Sequence, residues 1–197
     1  MSMRKIMFND EYGLTKAVLG KRKTKTRRIV SGSVRRKYNR DINLFLDPSI
    51  VLKQHSIYKV GEEIAIAQNY GDILESEYLP SQKEDEVRRL VTENHIGCTN
   101  KMFVRAELMP HFIRITDMQT ERLQDISDDD CIAEGIMEGE FINTWDRFYF
   151  DSWGDVPNHI TFKTPREAYA ALIDKISGKG TWERNPHVFV YEFELIR

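Results

Sequence analysis

The sequence predicts an α+β fold in which a small curled sheet or barrel carries a few short helices and long insertions. Three observations predict it. The segment "HVFVYEFELI" at 187–196 alternates and is rich in β-branched and aromatic residues, so it reads as a strand. The segment "LQDISDDDCIAEGI" at 123–136 carries every signal of a capped helix. Between such segments strands and helices follow one another in no βαβ rhythm, which argues against a doubly wound parallel sheet. At 197 residues with 41% hydrophobic content the chain suits one domain, 1–197, with insertions at about 29–56, 69–100 and 139–163.

Taken in order, Met3 to Phe8 reads as a short strand, after which Asn9 or Asp10 can cap a helix to about Leu19 with Leu14, Ala17 and Val18 inward. Gly20 stops it. The basic stretch "GKRKTKTRR" at 20–28 then reads as a loop. Drawn out as a flat strand, it would put Lys23, Lys25 and Arg27 on one side and Thr24, Thr26 and Arg28 on the other. Residues 29–56 have weak periodicity, with one short ordered piece around Ile42 to Leu46. "IYKVGEEIAIAQ" at 57–68 turns at Gly61 and alternates through Ile64, Ile66 and Gln68 as a strand.

Residues 69–100 read as a polar insertion holding a helix at about Gln82 to Val91. Met102 to Arg105 and His111 to Arg122 read as extended, with Phe112, Ile113, Ile115 and Met118 apolar and Pro110 at the entry. Ser127 is the N-cap of the next helix, acids fill its first turn where the dipole favours them, and Gly135 ends it. Thr164-Pro165 opens a further helix whose Ala168, Tyr169, Leu172, Ile173 and Ile176 form one buried face, closed by Ser177-Gly178. Asn185-Pro186 turns the chain into the last strand.

A net charge of −2 excludes a globally basic nucleic-acid coat, so any such binding must use a local patch. One exists: from Lys21 to Arg40 the chain has ten basic residues (Lys21, Arg22, Lys23, Lys25, Arg27, Arg28, Arg35, Arg36, Lys37, Arg40) and no acid. Two cysteines, Cys98 and Cys131, form no CxxC pair, which fits a reducing, cytoplasmic setting. No run approaches the roughly 20 apolar residues of a membrane span. His55, His95, His111, His159 and His187 lie far apart, so no metal is expected, and no Gly-rich phosphate loop calls for a nucleotide cofactor. Cys131 among acids reads as a buried filler. Trp145, Trp153 and Trp182 read as packing, with base stacking as the alternative.

Four segments together, the helix with "GKRKTKTRR", "YKVGEEIAIAQ", "ERLQDISDDDCIAEGI" and "GTWERNPHVFVYEFELI", resemble the ASCH domain family, whose members have a PUA-like β-barrel related to RNA-binding modules. The likeness spans the chain and is nearest to the longer ASCH proteins carried by phages and prophages. It implies binding of RNA or a modified nucleoside. Small bacterial members are amidohydrolases acting on N4-acetylcytidine, and matching their motif puts the catalytic lysine at Lys23, the threonine at Thr26 and the glutamate at Glu134. This chain is about twice their length, and Gly20 lies one residue further from Lys23 than their glycine does.

Amide hydrolysis needs an activated nucleophile, a proton donor and help for the oxyanion. Thr26 can attack only if a base takes its proton, and Lys23 can be that base if neighbouring cations lower its pKa. Glu134 would orient the lysine or shuttle a proton to the leaving amine. Arg22, Thr24, Arg27 and Arg28 are the residues expected to touch substrate or RNA, the guanidinium forks suiting oxyanions. The alternative for the basic stretch is a non-catalytic face that contacts RNA phosphates along residues 21–40.

Overall fold

The structure, a computed structural model, describes residues 3–34, 36, 53–139, 147–150 and 161–196. The ordered piece expected at Ile42 to Leu46, the cations Arg35, Lys37 and Arg40, and Trp145, Trp153 and His159 lie outside the described residues.

The first strand, β1 (Lys5–Ile6), is shorter than the expected Met3 to Phe8, because only Lys5 and Ile6 find partners, Ala65 and Ile66, in a parallel ladder. Helix α1 (Leu14–Leu19) is not capped by Asn9 or Asp10. Gly13 holds the N-cap position at φ 62°, a left-handed conformation that suits glycine, while the Asn9 carboxamide accepts a bond from the Tyr12 amide inside the preceding turn. Gly20 ends α1 as expected. Lys21 then takes φ 59° and reverses the chain, and the basic stretch remains a loop only as far as Thr24. Its second half is strand β2 (Lys25–Ile29), paired along its whole length with the last strand. Charge did not prevent this, since the strand edge offers a full backbone ladder and acids meet the cations.

Strand β3 (Glu63–Ile66) divides the molecule's two hydrophobic clusters. Ile64 and Ile66 enter the larger one, Ala65 and Ala67 the smaller, as alternation along a strand requires. The smaller cluster corrects the expectation of a polar insertion at 69–100. Helix α2 (Tyr70–Leu74) and helix α3 (Ser81–Thr92) bury Tyr70, Ile73, Val87 and Leu90 against Met109 and Phe112. These residues are too sparse to stand out among the surrounding charges. Of Met102 to Arg105 only Val104 and Arg105 are extended, because Lys101–Phe103 is a 3-10 turn that Asn100 caps.

Strand β4 (Phe112–Arg122) contains a bulge between Ile115 and Asp117. Helix α4 (Asp128–Ala133) is capped by Ser127, whose hydroxyl accepts from the Asp130 amide at 3.1 Å. Strands β5 (Met137–Glu138) and β6 (Phe148–Tyr149) form a small ribbon, β5 just before the third expected insertion and β6 within it. Helix α5 (Pro165–Ser177) has the Thr164–Glu167 capping box, helix α6 (Thr181–Arg184) follows, and β7 (His187–Leu195) closes the chain.

The fold is α+β: a five-stranded sheet in the order β1-β3-β4-β7-β2 with helices around it. Val188, Phe189, Val190 and Tyr191 are all buried, so both faces of β7 are covered. Bulges bend strands, and this sheet curls: Arg28 on edge strand β2 donates to the Met7 carbonyl beside edge strand β1 at 2.6 Å. That bridge is a side chain. Among the described residues no backbone ladder joins β1 to β2, so the sheet does not close into a barrel.

Candidate functional site

The turn after α1 is held between two helix ends. The amides of Arg22 and Lys23 both bond the Ala17 carbonyl at 2.9 and 3.0 Å, and the Thr24 amide bonds Ala133 at the end of α4 at 2.9 Å. This geometry sends the Lys23 side chain inward, where it is 2% exposed. Its amine donates to the Glu134 carbonyl at 2.8 Å and lies 2.5 Å from Glu134 Oε2. Gly135, at φ 107°, lets this turn close, since a Cβ there would come within 3.3 Å of Leu14 and 3.8 Å of the Lys23 Cβ.

Burial lowers the pKa of the Lys23 amine; the Glu134 carboxylate opposes that shift, while Arg28 and Arg27 add to it, and the net effect holds the amine below its ordinary 10.5. A buried lysine with a depressed pKa can serve as a base. Tyr169 faces the same pair. Its phenol is pushed well up by burial and further by Glu134, so it stays a neutral hydroxyl.

Arg27, expected to touch substrate, lines the same cavity as Lys23 but is committed to acids. Its side chain is wholly buried and its guanidinium is shared by three acids: Glu121 at 2.7 Å, Asp130 at 2.5 Å and Glu134 at 3.3 Å. Each of its three nitrogens is thereby paired with a carboxylate. Burial alone would lower the pKa of the guanidinium, but Glu134, Asp130 and Glu121 more than reverse this. Burial would likewise raise the Asp130 carboxyl, but hydrogen bonds from Lys25 and Arg27 hold it below 3.8. Lys23 and Arg27 thus meet the two oxygens of one carboxylate, and Lys25 and Arg27 the two oxygens of another, the shared side that strand parity anticipated.

Thr26 lies on the opposite side of β2, directly across from Tyr191. It is 4% exposed, and among the described residues its hydroxyl makes no hydrogen bond to Lys23 or Glu134. All three nevertheless line one cavity of about 480 Å³, together with Phe8, Tyr58 and Arg28. Arg28 stacks over Phe8 at 5.6 Å from the ring centre. Arg22 and Thr24 are exposed and do not line the cavity, because their side chains leave the turn on its solvent side.

Phe8, Tyr58, Tyr169, Glu121 and Asp130 complete the site and were not legible beforehand. Each reads as an ordinary strand, helix or acidic residue until the sheet curls. Trp182 packs edge-on against Tyr169 and under Arg166, as a structural tryptophan would. Cys131 is fully buried, and burial pushes its thiol up to about 12. Among the described residues no group of three His, Cys, Asp or Glu is arranged to hold a metal ion, and no helix is long and apolar enough to cross a membrane. Comparison of the chain with protein-family models, with curated proteins and with solved structures finds no match in any of the three.

Proposed function

We propose that this chain is an ASCH-type domain on an open PUA-like barrel, and that its cavity binds a modified nucleoside and hydrolyses an N4-acetylcytidine-like amide. The observation that carries the reading is the Lys23–Glu134 pair, 2.5 Å apart, nearly solvent-free and lining a cavity with aromatic walls. The curled five-stranded sheet is compatible with the barrel that the motif likeness implies.

In this reading neutral Lys23 takes the proton of the Thr26 hydroxyl as its oxygen adds to the acetyl carbonyl. The tetrahedral oxyanion collapses, the C–N bond breaks, and the cytosine amine leaves with a proton delivered through Glu134. Water then hydrolyses the acetyl ester on Thr26, releasing acetate and restoring the hydroxyl. Substrate must draw Thr26 and Lys23 together, as catalytic contacts often tighten only in the complex.

The test is acetate release from N4-acetylcytidine by the full chain. Lys23→Met and Glu134→Gln should each lower the rate by at least about 100-fold, the usual worth of a general acid or base. The rate should rise with pH along a limb whose midpoint lies below 10.5, because Lys23 must lose its proton. Acetate release no faster than that of the Lys23 variant would end the hydrolase reading. If Thr26→Val keeps full activity, water and not Thr26 is the nucleophile.

A second reading, RNA binding through the basic stretch, keeps one specific support: Lys21 and Arg22 remain exposed beside the turn. It predicts that neutralising Arg22 reduces the salt slope of RNA affinity by about one, and that neutralising Arg27, which is spent on carboxylates, does not.

A further inference from the structure

A second cavity of about 390 Å³ opens beyond Arg28. It shares Met7, Phe8, Asn9, Arg28 and Ile176 with the first, so the two are compartments of one space. The first compartment has aromatic walls. The second is polar, lined by Asp10, Asn69, Thr99, Asn100 and Lys101, most of them from the segment expected as an insertion.

Two buried side-chain polar atoms among the described residues have no hydrogen-bond partner, Arg28 Nε and Asn69 Oδ1, and both residues line this compartment. One is a donor and the other an acceptor. The orientation of the Asn69 amide follows from its neighbour, since its Nδ2 faces the Asp72 carboxylate at 3.5 Å and a flipped amide would set oxygen against oxygen. Leaving such a group unmatched is costly, so a ligand that matches both recovers stability on binding. Both side chains are only half-buried and can turn toward an incoming group.

The polarity of the pair selects the ligand. A phosphate offers acceptors alone; it could serve Arg28 but not Asn69, and it would meet the Asp10 carboxylate in the same wall. Lys101 does not offset this, because its amine is already engaged by Asp10 at 2.8 Å, the Phe8 carbonyl at 2.7 Å and the Thr15 hydroxyl at 3.1 Å. A hydroxyl both donates and accepts.

We infer that the second compartment is a subsite for a neutral polyhydroxylated group, the sugar of a nucleoside whose base occupies the first. The inference rests on the reading of the first compartment as a base site. It makes the ligand a whole nucleoside in preference to a free base or a 5′-nucleotide.

Calorimetric titration of the full chain with N4-acetylcytosine, N4-acetylcytidine and its 5′-monophosphate tests this. The ribonucleoside should bind about tenfold tighter than the base, the worth of one to two added hydrogen bonds, and the phosphate should add nothing. Asn69→Ala should remove most of that tenfold gain and leave the affinity for the base unchanged. Equal affinity for base and ribonucleoside, tighter binding of the phosphate, or equal weakening of base and ribonucleoside in Asn69→Ala would each overturn the assignment. Methyl β-D-ribofuranoside, followed by NMR on the unaltered chain, separates the two claims. A shift of the Asn69 side-chain amide signals upholds the sugar subsite even if no cytosine compound binds and the base site fails. No shift overturns the subsite even if the base binds.

Discussion

Removing the carboxylate of Glu134 while keeping its shape should expose what the buried pair costs and gives. In Glu134→Gln, Lys23 keeps the backbone carbonyl at 2.8 Å but loses its only carboxylate partner among the described residues, and solvent cannot replace it at a side chain 1% exposed. Breaking a buried pair from one side costs about 3–5 kcal/mol. Here the loss has a ceiling, because the amine can shed its proton: from an unfolded value near 10.5, neutralisation at pH 7 costs about 4.8 kcal/mol at 1.36 per pH unit. Arg27 loses one of its three acids and keeps Glu121 and Asp130. A cost of about 3–4 kcal/mol at pH 7 follows, or roughly 6–16 °C in Tm for a chain of this size.

The sign of the pH dependence is determined by the same amine. Above the depressed folded pKa of Lys23 and below its unfolded 10.5 the unfolded chain binds more protons, so stability rises with pH in parent and variant alike; Glu134 raises the folded value, so without it that value falls further and the variant's rise begins at lower pH. The deficit against the parent should therefore shrink at pH 10. The double variant Lys23→Met/Glu134→Gln should be more stable than Glu134→Gln alone at pH 7, since the methionine fills the lysine stem's volume without a charge. Urea unfolding followed by circular dichroism at pH 7 and pH 10 measures all of this. A cost under about 1 kcal/mol at pH 7, the same cost at both pH values, or simple additivity in the double variant would refute the buried pair.

Other perturbations probe the neighbouring parts. Asp130 is held below 3.8, so the stability it contributes is present above that value and is lost as pH falls through its depressed pKa; Asp130→Asn should cost about 2 kcal/mol at pH 6, and its difference from the parent should vanish in acid titrations below 3.8. Gly135→Ala meets both a positive φ and the Leu14 side chain at 3.3 Å, whereas Gly178→Ala meets a positive φ in open space. The first should lose about 1–3 kcal/mol and the second less, with thermal unfolding as the measure, and an equal loss would remove the packing role of Gly135.

The elements that local chemistry dictates were legible. The Ser127 cap with acids behind it, the Thr164-Pro165 entry to α5 and the alternation of β7 each depend on residues within a few positions of one another. The start of α1 and the length of β1 were not, because Gly13 does with backbone conformation what Asn9 or Asp10 would do with a side chain, and β1 extends only as far as its partner does. Helix α3 was legible, expected at Gln82 to Val91 and found at Ser81–Thr92, whereas α2 was not, because its apolar residues make sense only against Ala65, Ala67 and Phe112 from other parts of the chain.

Residue order alone puts cations in the turn after α1, acids on the helix of Glu134, and Lys23 and Arg27 on one side of an extended segment. Which of those cations remain available depends on how the sheet curls. Curling of the sheet drives Lys23 and Arg27 against Glu134, Asp130 and Glu121, leaves Arg22 and Thr24 in water, and sets Arg28 between two compartments. The physical reason is that a charge gains its role from what it is buried beside, and Glu134 stands 111 positions from Lys23 in the chain, a separation that no local spacing rule spans.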